Sequence, residues 1–263
     1  MRPLAALAAP EARALHGFLF DLDDTLLTHG ALTREAYGAL WDLKAAGLRL
    51  VAVTGRPSGW GEVIARQWPI EAAVTENGAV VIAREGHGIA RVERCDEAER
   101  RSRRIRLARL VEEVRAEVPE ARLTDDVDAR RADVTWDIGE RVKLPADRVD
   151  AIRRVIAAAG ARSFASSVHV HATFDIDDKA SGTIAYLRRA FGEDPGAATA
   201  ARWAFVGDSG NDAACFGAFR LTFGVANVRT HLPRIPVPPR YVAEREMGAG
   251  FAEIAAAILA RRA

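Results

Sequence analysis

Four separated stretches of this 263-residue chain carry side chains that could do chemistry together. Asp21 and Asp23 stand two apart where the apolar run 17–20 turns acidic. Thr54 and Gly55 end a second apolar run, and Lys179 stands before a helical pattern. Asp208, Asn211 and Asp212 follow a third run. Crowded carboxylates repel by about 4 kcal/mol per pair at about 4 Å and an effective dielectric of about 20. A hard divalent cation between them makes the cluster tolerable, and Mg²⁺ prefers oxygen ligands and retained waters. Of 37 basic residues only Lys44, Lys143 and Lys179 are lysine, so a lysine is worth noticing here.

A phosphate dianion would complete such a site. Its charge, with those of Asp21 and Asp208, opposes Mg²⁺ and the Lys179 ammonium, leaving the site near neutrality. A carboxylate can then approach phosphorus and form an acyl phosphate, which splits one hard hydrolysis into two easier steps. A second carboxyl two residues on can reach the leaving oxygen, protonate it, and later deprotonate the attacking water. Thr54 offers a hydroxyl and Gly55 an unhindered backbone N–H to the transferring oxygens.

The elements that must position these groups are read from periodicity. Residues 17–24 begin apolar and end acidic, as a buried strand opening into a polar cleft does. Thr33 caps a helix reaching Ala46, with Leu40 and Leu43 inward and Gly47 as its stop. Residues 49–55 form another buried strand, and Ser58 caps a helix that ends before Pro69. Apolar runs at 72–75 and 79–83 flank Glu76-Asn77-Gly78, a strong hairpin signal. The alternation of strand and helix predicts an α/β fold, a Rossmann-like parallel sheet with helices on both faces. Such sheets bind ligands at the carboxyl ends of their strands, where Asp21, Asp23, Thr54 and Asp208 fall.

Near residue 85 the pattern changes. An amphipathic helix over 98–118 places Ile105, Leu107, Leu110, Val111 and Val114 inward, and Arg100, Arg101, Arg103, Arg104 and Arg106 on a solvated face. Residues 133–138 and 167–174 alternate as strands, with a helix begun by Pro145 between them. His169 and His171 share one face of the second strand, and Trp136 reads as core. This segment predicts a smaller α+β unit over 85–175, inserted into a core of 1–84 and 176–263. The parallel pattern then resumes with a helix at 181–191, a strand at 203–208, a short helix from 211 and a strand at 221–225. An edge strand at 241–243 and a helix at 250–260 close the chain.

The quoted residues resemble a known family. Asp21-Leu22-Asp23-Asp24-Thr25, Val53-Thr54-Gly55-Arg56, Lys179 and Gly207-Asp208-Ser209-Gly210-Asn211-Asp212 are similar, in order, to the four motifs of the haloacid dehalogenase-like phosphohydrolases. An insert between the second and third motifs, and Glu76-Asn77-Gly78-Ala79, resemble the Cof-like branch with its C2-type cap. That branch includes sucrose-phosphate, mannosylphosphoglycerate and trehalose-phosphate phosphatases and phosphomannomutases. The resemblance implies Asp21 as nucleophile and Mg²⁺ ligand, and Asp23 as general acid/base with its backbone carbonyl on the metal. It implies Asp208 as the third protein ligand, and Asp212 as support for the metal shell or for Lys179. Thr54, Gly55, Lys179 and Asn211 would hold the phosphate.

The expected function is a Mg²⁺-dependent phosphatase acting on a small phosphorylated metabolite, a sugar or glycoside phosphate. A sugar phosphomutase shares the first chemical step. A signalling receiver also uses an acidic cluster, Thr and Lys, but is near half this length. A silent phospho-ligand binding protein would not need every catalytic group. A net charge of +1 gives no case for nucleic acid or an anionic membrane. Two cysteines, Cys95 and Cys215, read as free thiols of a reducing compartment. No apolar run reaches the roughly 18–20 residues of a membrane span. The apolar residues 1–10 are expected to form a helical lead-in to a cytoplasmic protein. No exposed apolar stripe speaks to oligomeric state.

Overall fold

The computed structural model describes residues 1–165, 168–194 and 196–262. The chain begins with β1 (Arg2–Pro3), α1 (Ala9–Arg13), β2 (Gly17–Phe20), α2 (Arg34–Ala45), β3 (Arg49–Val53) and α3 (Ser58–Gln67). β4 (Ala72–Thr75), β5 (Val80–Glu85) and β6 (Gly88–Glu93) follow. An inserted unit then holds α4 (Glu97–Glu117), β7 (Arg122–Leu123), β8 (Asp133–Asp137), α5 (Ala146–Ala158), β9 (Arg162–Ala165) and β10 (His169–Thr173). The chain returns through α6 (Lys179–Phe191), α7 (Ala197–Arg202), β11 (Trp203–Gly207), α8 (Ala213–Ala218) and β12 (Leu221–Gly224). It closes with α9 (Val228–His231), β13 (Tyr241–Val242) and α10 (Met247–Arg262).

The main sheet has the order β1-β13-β12-β11-β2-β3-β4-β5-β6, parallel except for the β4–β5 and β5–β6 pairs. Its central strands β2, β3, β4, β11 and β12 are buried on both faces. Along β2, Phe18 and Phe20 enter one apolar layer with Leu40 and Leu43 of α2 and Phe251 and Ile254 of α10. Leu19, between them, enters the opposite layer with Leu187 of α6 and Phe216 of α8. That alternation is the period of two of a strand. Each fully buried side chain of this size contributes about 1.5–3 kcal/mol. The expected Rossmann-like α/β core is therefore the fold observed.

The inserted unit is an antiparallel sheet, β7-β8-β10-β9, covered by α4 and α5 around Leu107, Leu110, Trp136, Ile152 and Val170. The main sheet runs on through β6 to Glu93, so the expected boundary at 84/85 falls inside the β5–β6 hairpin. Ser167, in the expected second strand of the insert, lies outside the described residues.

Several local expectations are corrected. Ile105 is 57% exposed, and Arg100 is buried on the inward stripe of α4. Arg100 sits one heptad before Leu107, so the 3.6-residue period carries it inward, where Glu93 and Asp175 neutralise it. Ser58 is not a side-chain cap; Pro57 precedes the helix, and the Ser58 N–H is taken by the Glu76 carboxylate at 2.9 Å. The 241–243 segment is not an edge, because β1 pairs outside β13. The expected helical lead-in over residues 1–10 is thus interrupted: Arg2–Pro3 pair in the sheet, a 3-10 turn spans Leu4–Ala6, and α1 begins only at Ala9. Thr33 does cap α2, accepting from Ala36 N.

Candidate active site

The sheet changes direction at β2. β3 and β4 lie on one side of it, β11, β12 and β13 on the other. Such a switch point opens a crevice at the carboxyl ends of the strands. Asp21 follows β2, Thr54 follows β3 and Asp208 follows β11, so three neighbouring strands deliver three polar groups to one rim.

Lys179 ties the rim together. It is the first residue of α6, which Asp178 caps in a reciprocal box with Ser181. Its Nζ donates to Asp21 Oδ1 and to Asp212 Oδ1, both at 2.7 Å. The lysine is 1% exposed and Asp212 fully buried. The other Asp212 oxygen accepts from the backbone N–H groups of Asp208 and Ser209, at 2.9 and 3.1 Å. Gly207 makes this possible, since a Cβ there would overlap the Asp212 carboxylate.

Asp21, Asp208 and Asp212 bring one carboxylate oxygen each to within 4.8 Å of one another. Burial, opposed by Lys179 and reinforced by Asp212 and Asp23, raises the Asp21 pKa to about 7. Burial and then the charges of Asp212 and Asp21 raise that of Asp208 to about 9. Burial works against the Lys179 ammonium, yet Asp21 and Asp212 outweigh it and push its pKa up. One ammonium does not balance three buried carboxylates. The deficit is two charges, and the donors are hard oxygens, which fits a divalent cation such as Mg²⁺.

The other expected residues lie around this cluster. The Thr54 hydroxyl accepts from Arg56 N at 3.0 Å, which leaves its own proton to give. Gly55 N–H has no acceptor among the described residues. The Asp23 carboxylate does not join the cluster. It faces Arg56, whose Nε and Nη2 grip it, and the guanidinium lies 3.9 Å above the Trp60 ring. The Asn211 side chain accepts from Ser209 Oγ at 2.9 Å. His171 is buried against Thr135 and Asp133, His169 meets Glu140, and Trp136 is core.

Sequence reading missed Asn227. Its Nδ2 donates to Asp208 Oδ2 and to the Asp24 carbonyl, both at 3.0 Å, and its Oδ1 accepts from Met247 N. It thus joins the turn after Asp21, the loop after β11 and the start of α10. Its position shortly past β12 was the available signal, because that strand ends on the same rim. Thr25 also donates to Asp208 Oδ1, at 3.3 Å.

Residues 18–98 match the family model of haloacid dehalogenase-like hydrolases. Among solved structures, a Thermoplasma acidophilum protein is similar with a TM-score of 0.72 and 16% identity, over 93% of this chain and 98% of that one. The fold is that of the haloacid dehalogenase-like hydrolases. The Synechocystis sp. sucrose-phosphatase, solved with sucrose and phosphate, is similar with a TM-score of 0.64 and 15% identity, over 93% of this chain and 98% of that one. A trehalose-6-phosphate phosphatase related protein is similar with a TM-score of 0.60 and 19% identity, over 93% and 97%. No curated protein matches the chain. The resemblance read from the motifs stands, and within this haloacid dehalogenase-like fold the four motifs meet at one rim. No helix among the described residues is long and apolar enough to cross a membrane.

Proposed function

We propose that this chain is a Mg²⁺-dependent phosphatase of a small phosphorylated metabolite, a sugar or glycoside phosphate. The observation that carries the reading is the Lys179 ammonium held between Asp21 and Asp212 beside Asp208, at the switch point of the sheet. The proposed roles follow from what each group touches. Asp21 would attack phosphorus through its carboxylate, with the ester P–O bond breaking as the new P–O bond forms. Asp23 would give the leaving oxygen its proton and then take one from the water that releases phosphate. It must leave Arg56 to do so, since both its oxygens are engaged there.

Thr54, Gly55 N–H and Lys179 would hold the phosphate oxygens, with Asn211 at the edge. Asp212 has both oxygens engaged, by Lys179 and by two backbone N–H groups, which supports the lysine-orienting role. Asp21 and Asp208, with the Asp23 backbone carbonyl, would hold Mg²⁺, and Asp212 would complete the acidic shell. The bound cation supplies charge neutralisation at the phosphoryl oxygens. The inserted unit, proposed as a cap over the rim, would exclude water and select the leaving group.

A sucrose-phosphatase and a trehalose-6-phosphate phosphatase related protein among the similar folds support the choice of a sugar phosphate. The test is release of inorganic phosphate from a panel of phosphorylated metabolites and from p-nitrophenyl phosphate, with and without Mg²⁺. Hydrolysis that stops on chelation is the expected result. Binding without turnover, or isomer formation without phosphate release, contradicts it.

A further inference from the structure

Core and insert grip each other's backbone at one point. Glu76 belongs to the β4–β5 turn of the main sheet and is 2% exposed. Its carboxylate accepts from the N–H groups of Arg131, Ala132 and Asp133 in the insert, as well as from Ser58 N. Arg130, the residue before them, reaches the other way. Its Nη1 donates to the Gly55 carbonyl at 3.0 Å. Asp126 and Asp133, both of the insert, fix the guanidinium on its remaining sides.

The consequence falls on the Thr54–Gly55–Arg56 turn. The Thr54 carbonyl accepts from Asn77 N at 3.1 Å, and the Arg56 carbonyl from Glu76 N at 3.0 Å. With Arg130 on Gly55, all three carbonyls are held. Arg56 N is taken by the Thr54 hydroxyl, so Gly55 N–H is left to bind. Glu76 and Asn77 stand at φ of 49° and 52°, a strained left-handed pair. Such strain persists where the surroundings over-determine it.

We infer that Glu76 and Arg130 form a reciprocal clamp through which the insert shapes the phosphate-binding turn. They are positioning residues: neither would touch substrate, and both act through the turn's peptide groups. The inference rests on the phosphatase reading of that turn. The insert then contributes to holding the phosphate common to all substrates, besides selecting the leaving group.

Coupling is reciprocal, so phosphate bound at the turn must tighten the insert. Hydrogen–deuterium exchange on the wild-type chain with Mg²⁺ reads this. Saturating inorganic phosphate should slow exchange at 54–56 and, about tenfold, at the amides of 131–133, while α5 stays unchanged. Slowing at 54–56 with 131–133 unaffected overturns the clamp. No change anywhere means that phosphate does not bind, which overturns the phosphatase reading and the clamp with it.

Steady-state kinetics give the second readout. Arg130→Lys cannot span Asp126, Asp133 and Gly55 together. It should raise both KM for p-nitrophenyl phosphate and the inhibition constant of inorganic phosphate about tenfold, with half-saturating Mg²⁺ unchanged. Unaltered constants overturn the inference. Glu76→Gln, which turns an amide N–H₂ toward backbone donors, should act in the same direction if Arg130→Lys does not fold. If neither variant folds, the wild-type exchange experiment decides.

Discussion

At the scale of residues, buried charge governs the site. Asp21→Asn keeps the shape and removes the attacking oxygen's charge. Turnover should fall by on the order of 10⁴ or more, as for nucleophiles acting within a unit; activity within about tenfold of the parent would contradict the assignment. Asn227→Ala should leave Asp208 less fixed and weaken Mg²⁺ activation about 10–100-fold, the usual effect of losing a partner behind a ligand. Titration of activity with Mg²⁺ checks it.

The acids also make the metal-free chain sensitive to pH. Asp21 and Asp208 titrate near 7 and 9 when folded, against an ordinary 3.8. The folded chain therefore holds protons that the unfolded chain releases. Their contribution is complete below the ordinary value and is lost as pH rises through the folded values. Stability in chelator should fall from about pH 4 to about pH 9, by at most about 1.4 kcal/mol per pH unit for each proton, and more steeply below about pH 7, where both acids contribute, than above it. Saturating Mg²⁺ should flatten the slope. Thermal melts in chelator that rise over this window would show that burial does not dominate.

At the scale of elements, what was legible depended on whether burial or pairing decided the outcome. β2, β3 and β11 are apolar runs that end in polar residues, and sequence places the ends of β3 and β11 to within two residues. α4 is different. Its hydrophobic count promised Ile105 inside, but the stripe through Leu107, Leu110 and Val114 runs back to Arg100. Only the distant Glu93 and Asp175 make that arginine tolerable, and no local pattern announces them. Arg100→Met should cost about 1.5–3 kcal/mol, because Asp175 keeps Arg103 and Glu93 keeps Arg131 but both lose their buried hydrogen bonds to Arg100; urea unfolding measures it, and no loss would restore the solvated-face reading. Gly207→Ala at the end of β11 should displace Asp212 and with it Lys179. A misplacement on the order of 1 Å can lower kcat about a hundredfold, which steady-state kinetics would show.

At the scale of the whole molecule, strand order explains why the site was readable at all. Residues 21, 54 and 208 are far apart in sequence, yet β3, β2 and β11 are neighbours. Parallel connections put their carboxyl ends on one rim, so polar residues at strand ends converge without any signal of contact. Lys179 was legible for another reason: it is rare here and opens the helix that returns from the insert. The Glu76 and Arg130 contacts between core and insert were not legible. Both grip backbone groups, and backbone leaves no trace in residue type.

In the reaction proposed, a phosphoryl group passes onto Asp21. Acid quench of the wild-type chain during turnover of a phosphate ester, followed by peptide mass spectrometry, tests it most directly. A phosphoryl adduct on the peptide bearing Asp21, absent from Asp21→Asn, is the predicted result. Steady phosphate release by the wild-type chain with no adduct at any quench time, and by Asp21→Asn at a comparable rate, would contradict it.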